Sequence, residues 1–191
     1  MSVLSLDPPP GTAPPVPHEN APPPGSVLPP HYARCFGCGN EHPTGLHLVA
    51  TVREGVTLDA VVRLTEAHQG APGIVHGGLV AAAFDEAMRF VNWLLRRPAV
   101  TGRLETDFRV PVPVGRELHI AVCCVGVVGR KVYTRAEGRL DGPDGPVAAR
   151  AAGLFLAVPM SHFAEHGRGA EHGRGAEHGW DARRRPAGER P

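Results

Sequence analysis

The segment LVAAAFDEAMRFVNWLLRR, residues 79–97, is apolar nearly all round a helical wheel for about five turns. A helix with no wet face cannot lie on a surface, so the rest of the chain must cover it on most sides. His76-Gly77-Gly78 precede it. Arg96 and Arg97 suit the negative end of a helix, and Pro98 stops it.

The flanking segments have the period of strands. Leu46, Leu48, Ala50 and Val52 alternate with His47, Val49, Thr51 and Arg53. After Glu54-Gly55, residues 56–64 repeat that pattern, so the two runs predict a hairpin. Beyond the helix, Leu104, Thr106, Phe108 and Val110 alternate with charged residues. ELHIAVCCVGVV then turns at Gly129 into RKVYTRAEGRL, and a DGPDGP turn leads to VAARAAGLFLAV. The order is two strands, one buried helix and about four antiparallel strands. One sheet curled round a single helix is the simplest cover for that helix, an α+β arrangement.

The 191 residues fit one domain with tails. Residues 1–33 are a Pro-rich leader, expected to be disordered or polyproline II. Residues 34–160 form the folded domain. Residues 161–191 are expected to be a disordered low-complexity tail, because AEHGRG repeats there with a period that matches neither helix nor strand. A net charge of +1 argues against nucleic acid or an anionic membrane as partner. No run reaches the roughly 18 apolar residues of a membrane span, and residues 1–6 lack a signal-peptide pattern. A reduced, cytoplasmic protein follows as the expectation.

Two features carry chemistry. A helix N-terminus offers unpaired N–H groups and a positive dipole end, and Gly77 and Gly78 leave room for a substrate oxygen to reach them. Such donors stabilise the oxyanion of acyl transfer. Alternatively, the glycines serve only tight packing at the loop-to-helix junction. Asp85 is a carboxylate inside an apolar helix, which is costly without a partner. An ion pair with Arg89 from Asp85 or from Glu86 is the competing explanation. Asp85 stands eight residues beyond Gly77, about 12 Å along the axis. One chain cannot bring both to a single carbonyl. Two chains with antiparallel helices could, so this chemistry asks for a dimer.

HQGAPGIVHGGLVAAAFDEAM resembles the signature of PaaI-type hotdog-fold acyl-CoA thioesterases, most sharply from His76 to Met88. The resemblance implies a single hotdog fold, an antiparallel sheet wrapped around one long central helix. It makes Asp85 the catalytic carboxylate and Gly77 the oxyanion donor, with Gly78 a further substrate contact and His76 orienting the loop. It places Thr101 where a hydroxyl helps hold the lytic water or Asp85. Gln69 stands near the amide that some members carry, one residue off the common spacing. Glu86 is taken as a neighbour of the substrate. Arg103, Arg130 and Lys131 are candidates for the phosphates of coenzyme A. The implied activity is hydrolysis of acyl-CoA to free acid and CoA, without a cofactor, in a homodimer or dimer of dimers with shared sites. The alternatives are a non-catalytic acyl-CoA-binding module and a hotdog hydratase or dehydratase.

CFGCGNEHPTGLHL holds a lone CxxC, Cys35 and Cys38. With His42 and His47 it offers four potential zinc ligands, but the spacing is too compressed for a two-knuckle site. No metal is expected, and the cysteines are read as structural.

Overall fold

A computed structural model describes residues 4–166. The expected hairpin is β1 (Val49–Val52) and β2 (Thr57–Arg63), with Val49 opposite Val61 and Gly55 at φ 72° in the turn. Then come α1 (Gly77–Arg89), α2 (Val91–Leu95), β3 (Ala99–Phe108), β4 (Glu117–Val128), β5 (Lys131–Leu140), β6 (Val147–Ala157) and α3 (Ser161–His166). The strands form one antiparallel sheet in the order β1-β2-β4-β5-β6-β3. The chain leaves β2 near one edge and returns as β3 at the other, so the helix between them crosses the sheet. α1 packs against every strand from β2 to β6. This is the hotdog arrangement.

The period-two pattern sets which face is buried. Leu118, Ile120, Val122 and Cys124 of β4 point into the core, as do Leu58, Ala60 and Val62 of β2. Phe84 and Met88 of α1 are fully buried. Phe84 sits so close to β5 that a Cβ on Gly138 would lie 2.7 Å from its ring. Any side chain there would overpack the helix–sheet contact, at a cost of about 1–3 kcal/mol.

The apolar run is not one unbroken helix. It divides at Phe90 into 13-residue and five-residue pieces. The Phe90 N–H reaches back to Ala87 O at 3.2 Å, and the Asn92 side chain donates to Arg89 O at 3.0 Å. That side chain occupies a carbonyl of the terminal turn of α1, and α2 closes at Arg96 in the left-handed region.

The leader, from residue 4 onward, has no helix or strand, yet it lies against the domain. Leu6 and Leu28 are buried. Asp7 pairs with Arg135 of β5, and His18 N donates to Leu94 O at 2.8 Å. Residues 25–28 run antiparallel to β1, through Gly25 N to Val52 O, Val52 N to Ser26 O and Leu28 N to Ala50 O, each at 2.9 Å. Proline-rich composition, read in the sequence as disordered or polyproline II, hides two leucines and a short stretch able to satisfy the open edge of β1. At the other end, Ser161–His166 form a helix inside the segment expected to be disordered. The rest of the His-containing repeat, with His172 and His178, lies outside the described residues.

Candidate active site

The loop before α1 is closed on itself by backbone and side-chain bonds. His76 N donates to His68 O at 2.9 Å, Val75 N to Val112 O at 2.9 Å, and Gly73 N to Gln69 Oε1 at 2.8 Å. The Gln69 side-chain carbonyl is therefore engaged in shaping the loop. His76 is the N-cap of α1, in extended backbone, and its Nδ1 accepts from Gly78 N at 3.0 Å.

The two glycines now separate. A Cβ on Gly78 would press on the His76 ring at 3.0 Å, so that glycine serves the cap. Its N–H is taken by the imidazole, which corrects its assignment as a substrate donor. A Cβ on Gly77 would meet only the Phe108 ring, at 3.6 Å, an ordinary contact. Packing within the chain does not demand glycine at 77. The Gly77 N–H has no acceptor among the described residues and opens at the positive end of the helix.

Asp85 lies two turns further along α1 and is half-buried. Thr101 Oγ1 donates to Asp85 Oδ1 at 2.8 Å. Pro98 ends the helical region and β3 starts at Ala99, so Thr101 comes back alongside α1 within one short step of chain. Burial pushes the Asp85 carboxyl above its ordinary value. The Thr101 hydrogen bond opposes that, Glu86 adds to it, and Arg89 opposes it, with a net upward shift.

Glu86 points elsewhere. Its Oε1 lies 2.9 Å from His31 Nδ1 and its Oε2 3.8 Å from Arg89 Nε, and only 8% of the residue is exposed. Burial pushes this carboxyl up, but His31 and Arg89 outweigh it and hold the group below its ordinary value. Glu86 is thus occupied by His31, in the lead-in loop of residues 31–48 before β1, which corrects its placement beside the substrate; one helical residue turns the side chain about 100° away from Asp85.

Of the three expected cations, Arg103 is paired with Glu105 at 3.1 Å. Arg130 stands at the β4–β5 turn with Lys131 next in the chain, and it lines a groove with Arg96, Arg97, Pro98 and Val158. Arg97 donates to Gly129 O at 2.9 Å. In sequence, Arg96 and Arg97 read only as a helix end; the β4–β5 turn makes them neighbours of Arg130.

The cysteine motif also differs from its sequence neighbourhood. One ligand atom from each of His31, Cys35, Cys38 and Glu86 lies within 4.8 Å of the others. His42 and His47 stay out. The His42 ring packs edge-on against Phe36, and His47 Nδ1 contacts Gly39 O at 2.8 Å. Local spacing could have suggested His31, four residues before Cys35, but only the fold brings Glu86 there.

Residues 72–146, which span His76, Gly77, Asp85 and Thr101, match the model of the thioesterase superfamily. That stretch is similar to members of the superfamily. It is 32% identical over 100 residues to uncharacterized protein C26H8.11c of Schizosaccharomyces pombe, covering 51% of this chain and 57% of that protein. It is 29% identical over 90 residues to acyl-coenzyme A thioesterase THEM4 of Xenopus laevis, covering 47% and 40%. The chain thus spans about half the length of the curated relatives it matches. Among solved structures, one thioesterase superfamily protein is 28% identical with a TM-score of 0.59, over 65% of this chain and 60% of that one. Two others share the fold. A mutant of the phenylacetic acid degradation protein PaaI from Thermus thermophilus is 22% identical, TM-score 0.53, over 59% and 95%. The smu.793 protein of Streptococcus mutans, bound to acetyl CoA, is 16% identical, TM-score 0.53, over 57% and 86%. No helix among the described residues is long and apolar enough to cross a membrane.

Proposed function

We propose that the chain hydrolyses acyl-CoA thioesters to a free acid and coenzyme A. The observation that carries this is Asp85: a half-buried carboxylate, shifted upward by burial and held by Thr101, on the same helix whose Gly77 N–H has no acceptor among the described residues. The match of residues 72–146 to the superfamily model and a fold neighbour bound to acetyl CoA support the substrate class.

The thioester carbonyl oxygen would sit on the Gly77 N–H, where the helix dipole favours the developing negative charge. Asp85 would then activate a water as general base, or attack the carbonyl carbon to form an anhydride that water opens. The thiolate of coenzyme A leaves without a dedicated acid. Thr101 keeps one Asp85 oxygen oriented. The groove bearing Arg96, Arg97 and Arg130 is suited to the coenzyme's phosphates.

About 12 Å of helix separates Gly77 from Asp85, so each site draws the two from different chains. A homodimer, or a dimer of dimers, is part of the proposal. Two features support it. The ten-residue strand β3 is a free edge of the sheet, and Phe108 and Val110 stand exposed beside the helix N-terminus. A reduced, cytoplasmic setting suits the four cysteines, none of which is in a disulfide among the described residues. A panel of acyl-CoA substrates with thiol detection tests the proposal. Asp85-dependent release of coenzyme A is expected. Release that is absent for every chain length, or equal in Asp85→Asn, overturns it.

A further inference from the structure

We propose that His31 Nδ1, the Cys35 and Cys38 sulfurs and a Glu86 carboxylate oxygen form a closed, four-coordinate zinc site that fastens the lead-in loop to the central helix. The site is separate from the acyl-transfer chemistry.

The dimensions are those of a metal site. His31 Nδ1 is 3.1 Å from Cys38 Sγ and 2.9 Å from Glu86 Oε1, and all four ligand atoms lie within 4.8 Å of one another. Ligands at tetrahedral zinc stand roughly 3.3–3.8 Å apart, given bond lengths of about 2.0–2.3 Å. The cluster thus needs only small adjustments to accept an ion at its centre.

The chain is built tightly around that centre. Cys35 N donates to Tyr32 O at 3.1 Å and Gly39 N to Cys35 O at 2.8 Å, making a turn that brings both sulfurs to one side. The His31 N–H donates to Cys38 Sγ at 3.2 Å. A Cβ on Gly37 would lie 2.5 Å from the Glu86 carboxyl carbon, so the loop can wrap Glu86 only with glycine there. Cys38 and Glu86 are buried, and Glu86 Oε1 accepts no hydrogen bond of good geometry despite its contact with His31. Two thiols, an imidazole and a carboxylate packed together inside the domain are costly as bare polar groups and ordinary as ligands.

Thiolate, imidazole and carboxylate together select zinc over hard cations. Binding displaces the thiol protons to solvent, and two thiolates, one carboxylate and Zn²⁺ sum to −1. Arg89 beside Glu86 offsets that charge. With all four positions filled by protein, no site is left for substrate, so the role is structural. Glu86 follows Asp85 directly, so the metal would anchor the stretch of helix that carries the catalytic carboxylate.

Trp93 supplies a reporter. Its Nε1–H lies 3.3 Å from His31 Nε2, which serves as acceptor while Nδ1 holds the proton. A metal on Nδ1 moves the proton to Nε2, and that contact must open.

The test is a Co²⁺ titration of the full chain, reduced and stripped by chelator. A thiolate-to-cobalt absorption band saturating at one equivalent per chain is expected, lost on adding Zn²⁺. Zinc should raise Tm and shift the emission at the same stoichiometry, a shift absent in Trp93→Phe. Cys38→Ser should lose the band. Glu86→Gln, nearly isosteric, should weaken zinc binding at least about tenfold, the least that losing even an outer-shell partner costs; it carries the test if Cys38→Ser fails to fold. Metal uptake without the sulfur band, or unchanged in Cys38→Ser, would assign the ion to other histidines and overturn the site. So would a reduced chain that takes up no metal. None of these readouts depends on hydrolysis.

Discussion

Thr101 Oγ1 donates a 2.8 Å hydrogen bond to Asp85 Oδ1, tying the start of β3 to the middle of α1. This bond opposes burial in setting the carboxyl's proton affinity, and it fixes the direction in which the carboxylate faces. Measurable consequences rest on it and on its neighbours.

Asp85→Asn should fold and lose at least about a hundredfold in kcat with a good acyl-CoA, the usual scale for removing a general base. Its Tm at neutral pH should be unchanged or higher. The folded-state carboxyl is shifted up, so stability present while Asp85 is protonated is lost as pH rises through that value, and asparagine avoids the cost of ionising there. Glu86→Gln should cost much less in turnover. Equal kinetic losses at both positions would show that the base is misassigned.

Thr101→Val removes a bond that favours the ionised form. With Asp85 as the proposed base, the acid limb of the kcat/KM profile follows its ionisation, and activity falls as pH drops through a midpoint raised above the ordinary aspartate value by burial. In the variant that midpoint should move to higher pH. A midpoint that stays or falls would break the link between this hydroxyl and the base.

Shared sites can be tested by complementation. Asp85→Ala and Gly77→Pro should each be inactive; proline at the first helical position removes the N–H while suiting the helix. Random mixing of the two should restore about a quarter of wild-type activity, because half the dimers are mixed and each holds one intact site of two. Chains that demonstrably exchange without regaining activity, or an active monomer, would sink the two-chain site.

Deleting residues 1–30 should lower Tm. It exposes the open edge of β1 and removes Leu28, which is 4% exposed in the core. Deletion from residue 167 onward should leave Tm unchanged, since the repeat there offers little apolar surface to bury. Thermal melts of the two truncations, run side by side, decide the point: equal effects would mean that the 25–28 pairing contributes nothing.

Sequence alone was enough for the core of the fold. A helix apolar on nearly every face has to be covered, and period-two segments on either side are what can cover it; Phe84 against Gly138 is the realised contact. The helix start was legible too, because His76, Gly77 and Gly78 act through neighbours in the chain. Asp85 stood out because it breaks an apolar pattern. Tertiary structure decided what depends on residues far apart in sequence. Asp85 and Glu86 are adjacent, yet one meets Thr101 and the other meets His31 and the Cys35–Cys38 turn, because successive helical side chains diverge by about 100° and different segments lie on each side. The leader's pairing with β1, the meeting of Arg96 and Arg97 with Arg130, and the four-ligand cluster all arise the same way. Each joins segments whose local sequence carries no trace of the other, and only chain folding sets the distance between them.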